Sequence, residues 1–336
     1  MEQIIIYGTG TYYEKYKDKL PKDMRIVAYM DSHKEFATST TGQFRGGGDI
    51  PILLPSEWEK IEFDKIYICT DYSNGVQILL TLMEHIVPLE KIAFLNEKLA
   101  ALNWGWEVAE DKRGVIVTSG DVRFRLQYIT DFYVFREIFF ENVYNIGIPY
   151  TDCIVIDIGM NIGLTTLFFA ERFEVSKIYG FELFLDTYQQ AIDNFARNRQ
   201  EIQDKIIPHN IALYNEDKKM EIAISREESG LRDVFIGENK AKQCEITYRV
   251  AGKVIADILK REYGKKVVLK CDIEGAEYAV FDSLEEYGCW EGIDVILLEY
   301  HGSAYPLQAM LKKHGYKFFT IGASDITGLG MIYAVK

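Results

Sequence analysis

The segment VIDIGMNIGLTTLFFA constrains this 336-residue chain more than any other. The apolar run that enters it from Cys153 has the length and β-branched content of a strand buried on both faces. That strand ends around Asp157, after which Gly159, Asn161 and Gly163 punctuate a tight turn into the helix LTTLFFA. Glycine lets a backbone approach a ligand closely, and a helix start presents unsatisfied N–H donors. Nineteen residues past Gly163 comes Glu182, at the end of the next strand, GFEL. A carboxylate there is placed to accept both hydroxyls of a ribose. Strand, glycine turn, helix and acidic residue in one register predict a nucleoside site.

The same alternation fills the rest of the chain. Strands are predicted at CIVIDIG, KIYGFEL, IIPHNIAL, VVLKCDIEG, DVILLEYHG, KFFTIG and GMIYAVK, with amphipathic helices between most of them. This is the pattern of an α/β fold with a doubly wound, mostly parallel sheet. GASDITGLG, between the last two runs, is too short for a crossover helix, so the final strand is expected to run antiparallel. KKMEIAIS and the acidic stretch REESGLRDVFIGENKAK read as an insertion at the edge. Upstream, IIIYGTG, RIVAYMDS and DKIYICTD predict a smaller Rossmann-like α/β domain over residues 1–100. The Gly- and Thr-rich TSTTGQFRGGGDIP interrupts it and is expected to be a mobile loop. The larger domain is expected over residues 113–336. It opens with a hairpin, RGVIVTSGDVRFRLQY, and a helix on which Phe132, Phe135, Phe139 and Val143 form an apolar stripe.

Charge and cysteine content narrow the class. Fifty-one Asp and Glu against 38 Lys and Arg give a net charge of −13. That disfavours a nucleic-acid partner, whose phosphates are bound by clustered Lys and Arg. No run approaches the ~18 apolar residues of a membrane span, and MEQIIIYGTG lacks the basic and apolar regions of a signal peptide. The five cysteines, at 69, 153, 244, 271 and 289, are odd in number and show no CxxC spacing. A cytoplasmic protein without disulfides or structural zinc is expected.

The turn itself, D-x-G-x-N-x-G, separates two ligand classes. A dinucleotide fold uses GxGxxG, with the helix dipole facing a pyrophosphate. Asp157 at that point suits a cationic ligand and repels a diphosphate, which selects S-adenosylmethionine (SAM). VIDIGMNIGLTTLFFA, GFEL, HNIAL, LKCDIEGAEY and LLEYHG, taken in order, resemble the successive motifs of the FkbM family of methyltransferases. The similarity runs over about residues 113–336, includes REIFFENVY, and is most specific at LKCDIEGAE. It implies a class I SAM-dependent enzyme that methylates hydroxyls of sugars, polyketides or similar molecules. It also implies SAM contacts from Asp157, Gly159, Asn161, Gly163 and Glu182, with Asn210 to Ala212 beside the adenine. Met160 departs mildly from the family, which commonly has a small residue there.

LKCDIEGAEY places Asp272 at the carboxyl end of a buried strand, the edge where open α/β sheets bind ligands. Methyl transfer to oxygen needs a positioned hydroxyl and a group to remove its proton. Asp272 or Glu274 could be that base, and His301, just beyond LLEY, could reach the same edge. Glu277 is read as a charge at a helix N-terminus. Mg²⁺ held by Asp272, Glu274, Glu299 and His301 is the competing use of these groups, and no metal is expected. His33, His85, His209 and His314 have no partner pattern.

In the N-terminal YGTGTYY, Gly8 and Gly10 follow a strand, but the third glycine position is Tyr13, and Asp31 ends the next strand. The segment is similar to small nucleotide-binding domains attached to enzymes that modify bacterial surface sugars. A module that only packs or forms a homo-oligomer fits equally well. The leading expectation is O-methylation of a sugar or glycan hydroxyl in surface-polysaccharide assembly, on an acceptor that is a small molecule or nucleotide-linked sugar. A polyketide or lipid acceptor, an NAD-dependent sugar-modifying oxidoreductase and a non-catalytic SAM-binding protein are the alternatives.

Overall fold

Four consecutive apolar residues, Ile4 to Tyr7, are buried together, as a strand covered on both faces requires. The computed structural model describes residues 1–20, 23–32, 50–95, 107–108, 114–148, 150–224, 234–235, 242–323 and 328–336. Most of TSTTGQFRGGGDIP and of REESGLRDVFIGENKAK, residues 324–327 of GASDITGLG, and His33 lie outside them. The chain divides into two units, Met1–Ser119 with Arg125–Phe132, and Gly120–Phe124 with Tyr133–Lys336.

The first unit holds a five-stranded parallel sheet. Its strands are β1 (Glu2–Tyr7), β2 (Met24–Met30), β3 (Ile52–Leu53), β4 (Lys65–Ile68) and β5 (Ile92–Phe94), in the order β3-β2-β1-β4-β5. The order reverses direction between β1 and β4, the switch point at which such sheets open a crevice. A short helix, Thr11–Tyr16, follows β1. The helix Tyr72–Glu84 follows β4; Asp71 caps it by accepting from the Asn74 amide at 3.0 Å. Its Tyr72, Gly75, Val76, Leu79, Leu82 and Met83 are buried at helical spacing.

The second unit is built on seven strands: β9 (Cys153–Ile158), β10 (Val175–Phe181), β11 (Ile206–His209), β16 (Lys266–Cys271), β17 (Val295–His301), β18 (Lys317–Ala323) and β19 (Leu329–Val335). Between β5 and β9, the segments Glu107–Val108, Val115–Ser119 and Val122–Leu126 form β6, β7 and β8. The sheet order is β11-β10-β9-β16-β17-β19-β18, with the first five strands parallel. β19 is antiparallel to both β17 and β18 and lies between them, so the expected reversal of the last strand is present. Every residue of β9 is buried, and the core on one side of the sheet is closed by Phe281, Trp290 and Tyr316.

Three details depart from the sequence reading. IIPHNIAL is two strands, not one: β11 stays in the large sheet, and β12 (Ala212–Tyr214) joins a second sheet. The break falls where Asn210 Nδ2 donates to the carbonyls of Glu182 and Leu183 and turns the chain. KKMEIAIS, seen as β13 (Lys218–Ile224), is paired over its length with an unforeseen strand, β15 (Lys242–Val250), with β14 (Val234–Phe235) outside it. TDFYVFREIFF is an α-helix only over Ile129–Phe135, and Arg136–Phe140 continues it as a π-helical turn. Val143 lies beyond both.

All five cysteines are free. Burial pushes the thiols of Cys69, Cys153 and Cys289 up to about 12, 11 and 11, which leaves them unreactive at neutral pH. Phe281 is fully buried, edge-on to Trp290 at 5.6 Å. Phe281→Ala is expected to cost about 3–5 kcal/mol, measured by urea unfolding followed by tryptophan fluorescence.

Candidate active site

A buried lysine one residue before the end of its strand decides the geometry of the large sheet's open edge. Lys270 lies on β16 directly opposite Asp157 on β9. Its side chain is 1% exposed and that of Asp157 0%, with Nζ 3.2 Å from Asp157 Oδ1. The ammonium also donates to the carbonyl of Gly159 at 2.6 Å and lies 3.8 Å from Asp272 Oδ2. Burial alone would lower the Lys270 pKa, but Asp157 and Asp272 outweigh it and raise it. The other oxygen of Asp157 accepts from Thr166 Oγ1 at 2.7 Å. The carboxylate expected to face a cationic ligand is thus turned inward onto a cation of the protein itself.

The loop after β9 follows from this. Gly159, Asn161 and Gly163 all have positive φ, of 80°, 51° and 84°. A Cβ on Gly159 would fall 1.9 Å from the carbonyl oxygen of Asp272, and one on Gly163 2.5 Å from the Phe195 ring. Both glycines therefore have a protein neighbour that requires them, beyond any approach of a ligand. The amides are accounted for as well. Gly159 and Met160 donate to Phe181, Asn161 to Glu182 Oε2, Ile162 to Asn161 Oδ1, and Gly163 to Met160. The five amides of residues 159–163 are thus taken up by the end of β10, by Glu182 and by the loop itself.

Glu182, 5% exposed, ends the strand beside β9. One oxygen takes the Asn161 amide at 3.1 Å and the other the Phe184 amide at 2.9 Å. Asn210 and Ala212 are half-buried, and Asn210 is tied to the carbonyls of Glu182 and Leu183, so these three positions lie together. His209 stacks on Phe181 with centroids 5.0 Å apart, and burial lowers its pKa.

On the other side of Lys270, the strand ends of β16 and β17 gather carboxylates. Asp272 Oδ2 accepts from Tyr144 Oη at 3.2 Å. Burial, only partly offset by Lys270, raises the Asp272 pKa. Burial and Asp272 together push Glu299 up to about 8. His301 sits between two acids, with Nε2 3.0 Å from Glu274 and Nδ1 2.9 Å from Glu277. These hydrogen bonds, Glu274 first, push it up to about 10, while the one from His301 lowers Glu274. In this arrangement both ring nitrogens are committed, so His301 is not poised as a base.

Glu277 opens the helix Glu277–Glu286, as expected, but it does more than charge a terminus. It is 0% exposed, and its Oε1 accepts the amides of Ile273 and Gly275 as well as His301. The structure thus brings Asp272, Glu274 and His301 together. Lys270, Tyr144 and Glu277 were missed as their partners. A lysine inside the apolar run VVLKC was the one available signal, since a buried lysine needs an anion.

In the first unit a cleft of about 380 Å³ opens at the ends of β1 and β4, lined by Gly8, Gly10, Thr11, Tyr12, Lys15 and Thr70 among others. Gly8 needs its positive φ of 92°, and a Cβ there would meet the Cys69 carbonyl at 2.9 Å. Asp31 follows β2, and its amide donates to the Leu53 carbonyl; it is not part of the cleft lining.

Residues 157–318 match the methyltransferase FkbM domain, and residues 1–93 match the domain described as C2185-like, N-terminal. The chain is 25% identical over 184 residues to Methyltransferase 1 of Beauveria bassiana (strain ARSEF 2860), which covers 50% of this chain and 72% of that protein. Among solved structures, methyltransferase FkbM from Methylobacillus flagellatus KT aligns with a TM-score of 0.37 at 11% identity, over 100% of this chain and 90% of that one. Sp1610 of Streptococcus pneumoniae, in complex with SAM, aligns with a TM-score of 0.35 at 14% identity, over 56% and 67%. Residues 157–318, within the second unit, are a methyltransferase FkbM domain, and the chain is a methyltransferase.

Lys270→Met is expected to cost about 3–5 kcal/mol, because it strands Asp157 in the core. Adding Asp157→Asn should recover part of that loss in urea unfolding. Equal stability of the single and double variants would show that the pair does not act as a unit.

Proposed function

We propose that this methyltransferase uses SAM and transfers the methyl group to a hydroxyl of a sugar or glycan, in the cytoplasm, as a step in surface-polysaccharide biosynthesis. The observation that carries the cofactor reading is the amide inventory of residues 159–163. A diphosphate is held by outward N–H groups at such a turn, and the five amides of residues 159–163 are all directed to protein acceptors. The groups that line this edge are mainly acceptors: carboxylates, Glu182 among them, and carbonyls. Acceptors suit ribose hydroxyls and a positive centre.

The donor set fits SAM. Glu182 would hold the ribose, Asn210 to Ala212 would line the adenine, and Gly159, Asn161 and Gly163 would border the amino-acid end. Asp157 acts through Lys270, which fixes the Gly159 carbonyl. When bound, SAM supplies an electrophilic methyl group on a sulfonium. The chain's own part is to place the acceptor at the ends of β16 and β17, where Asp272 orients the hydroxyl and the carboxylate cluster receives its proton. Tyr144 and Lys270 keep Asp272 in place for that task. The carboxylate-rich edge favours a polyhydroxyl acceptor, since each oxygen can take a hydroxyl. The first unit's cleft, with Gly8, Gly10 and Lys15, is read as the holder of a nucleotide-linked sugar, with Asp31 outside its lining just after β2.

Calorimetry on the full chain tests this. SAM should bind at about one site per chain, and Glu182→Gln should weaken it about tenfold or more, the equivalent of ~1.4 kcal/mol. NAD binding without SAM binding would sink the reading.

A further inference from the structure

Asp272, Glu274 and His301 turn one ligand atom each toward a common point, a carboxylate oxygen from each acid and a ring nitrogen, all within 4.8 Å of one another. We propose that this cluster binds a divalent cation of the class that accepts mixed carboxylate and imidazole ligands, for which Mn²⁺ is the probe. Metal–ligand bonds of about 2.0–2.2 Å place neighbouring ligand atoms about 3 Å apart and opposite ones about 4.3 Å apart. His301 Nε2 and Glu274 Oε2 are already 3.0 Å apart, and Asp272 has to close on them from within 4.8 Å. Glu274, whose side chain is 75% exposed, is free to adjust to that movement.

The remaining polar atoms of His301 and Asp272 are held as such a site requires. Glu277 takes His301 Nδ1 at 2.9 Å, which fixes the ring and assigns Nε2 to the ion once that nitrogen has lost its proton. Tyr144 and Lys270 both address Asp272 Oδ2, which leaves Oδ1 for the cluster. Glu299 lies two residues before His301 on β17, on the same face of the strand, and brings a further carboxylate to that edge.

Glu277 supplies an observation independent of the ligand trio. It is 0% exposed, its Oε1 rests on His301, and its Oε2 has no polar partner among the described residues. A buried carboxylate oxygen without a partner is costly, and that cost falls as positive charge gathers on the far side of the His301 ring. On the reading above, the ion would hold the acceptor hydroxyl and lower its pKa. That role depends on the methyl-acceptor reading, whereas binding of the ion does not.

The test is a titration of metal-stripped full-length protein with MnCl₂, with free Mn²⁺ followed by electron paramagnetic resonance. Saturable binding of about one ion per chain is expected. Glu274→Gln, at an exposed side chain, and His301→Gln should each weaken it at least about tenfold, with the circular dichroism spectrum unchanged. Absence of saturable binding, or binding equally tight in both variants, would overturn the proposal. SAM calorimetry on the same metal-free sample keeps the two ideas apart. SAM binding without Mn²⁺ binding removes the cation site alone, and Mn²⁺ binding without SAM binding removes the cofactor reading alone.

Discussion

The ion pair between Lys270 and Asp157 is the constraint on which the rest of the site depends. Two charges lie opposite each other near the carboxyl ends of adjacent parallel strands, with almost no access to water. Moving each out of water costs several kcal/mol, so such a pair persists only where further polar contacts complete it. Here the Gly159 carbonyl, Thr166 and Asp272 complete it. The pair therefore ties the loop after β9 to the loop after β16, on either side of the point where the sheet's strand order reverses.

That tie separates two chemically different halves. On the β9 and β10 side, backbone donors are consumed and Glu182 is buried, so the surface left to a ligand is rich in acceptors. On the β16 and β17 side, Asp272, Glu299 and Glu274 crowd around two cations, Lys270 and His301. Burial of so many acids raises the pKa of Asp272 and Glu299, and His301 keeps Glu274 ionised. A positive centre, whether the methyl donor's sulfonium or a divalent ion, would meet a complementary field there. The two halves differ because one is built from a glycine turn and the other from an acidic one, DIEGAE.

The parts of this account legible in the sequence were those coded by local spacing. Cys153 to Glu182 reads as strand, turn, helix and strand because period, glycines and length agree within thirty residues. The reversal of the last strand followed from a connection too short to cross over. What could not be read were pairings between distant segments. Lys270 meets Asp157 across 113 positions, and Tyr144 meets Asp272 across 128, with no local mark in either case. The same holds for β12 and β15, which pair in a sheet that IIPHNIAL gave no reason to expect. The glycines were seen, but their neighbours were not: Gly159 and Gly163 are demanded by Asp272 and Phe195, which only the folded chain brings near.

The central claim is methyl transfer from SAM to a sugar hydroxyl. Incubation of the full chain with SAM carrying a ¹³C-labelled methyl group and a panel of nucleotide-sugars and glycans, read by NMR of the products, addresses it directly. The account predicts a labelled methyl resonance with the chemical shift of a methyl ether on one sugar position. Label appearing on nitrogen, or only on an acceptor without a sugar, would contradict it.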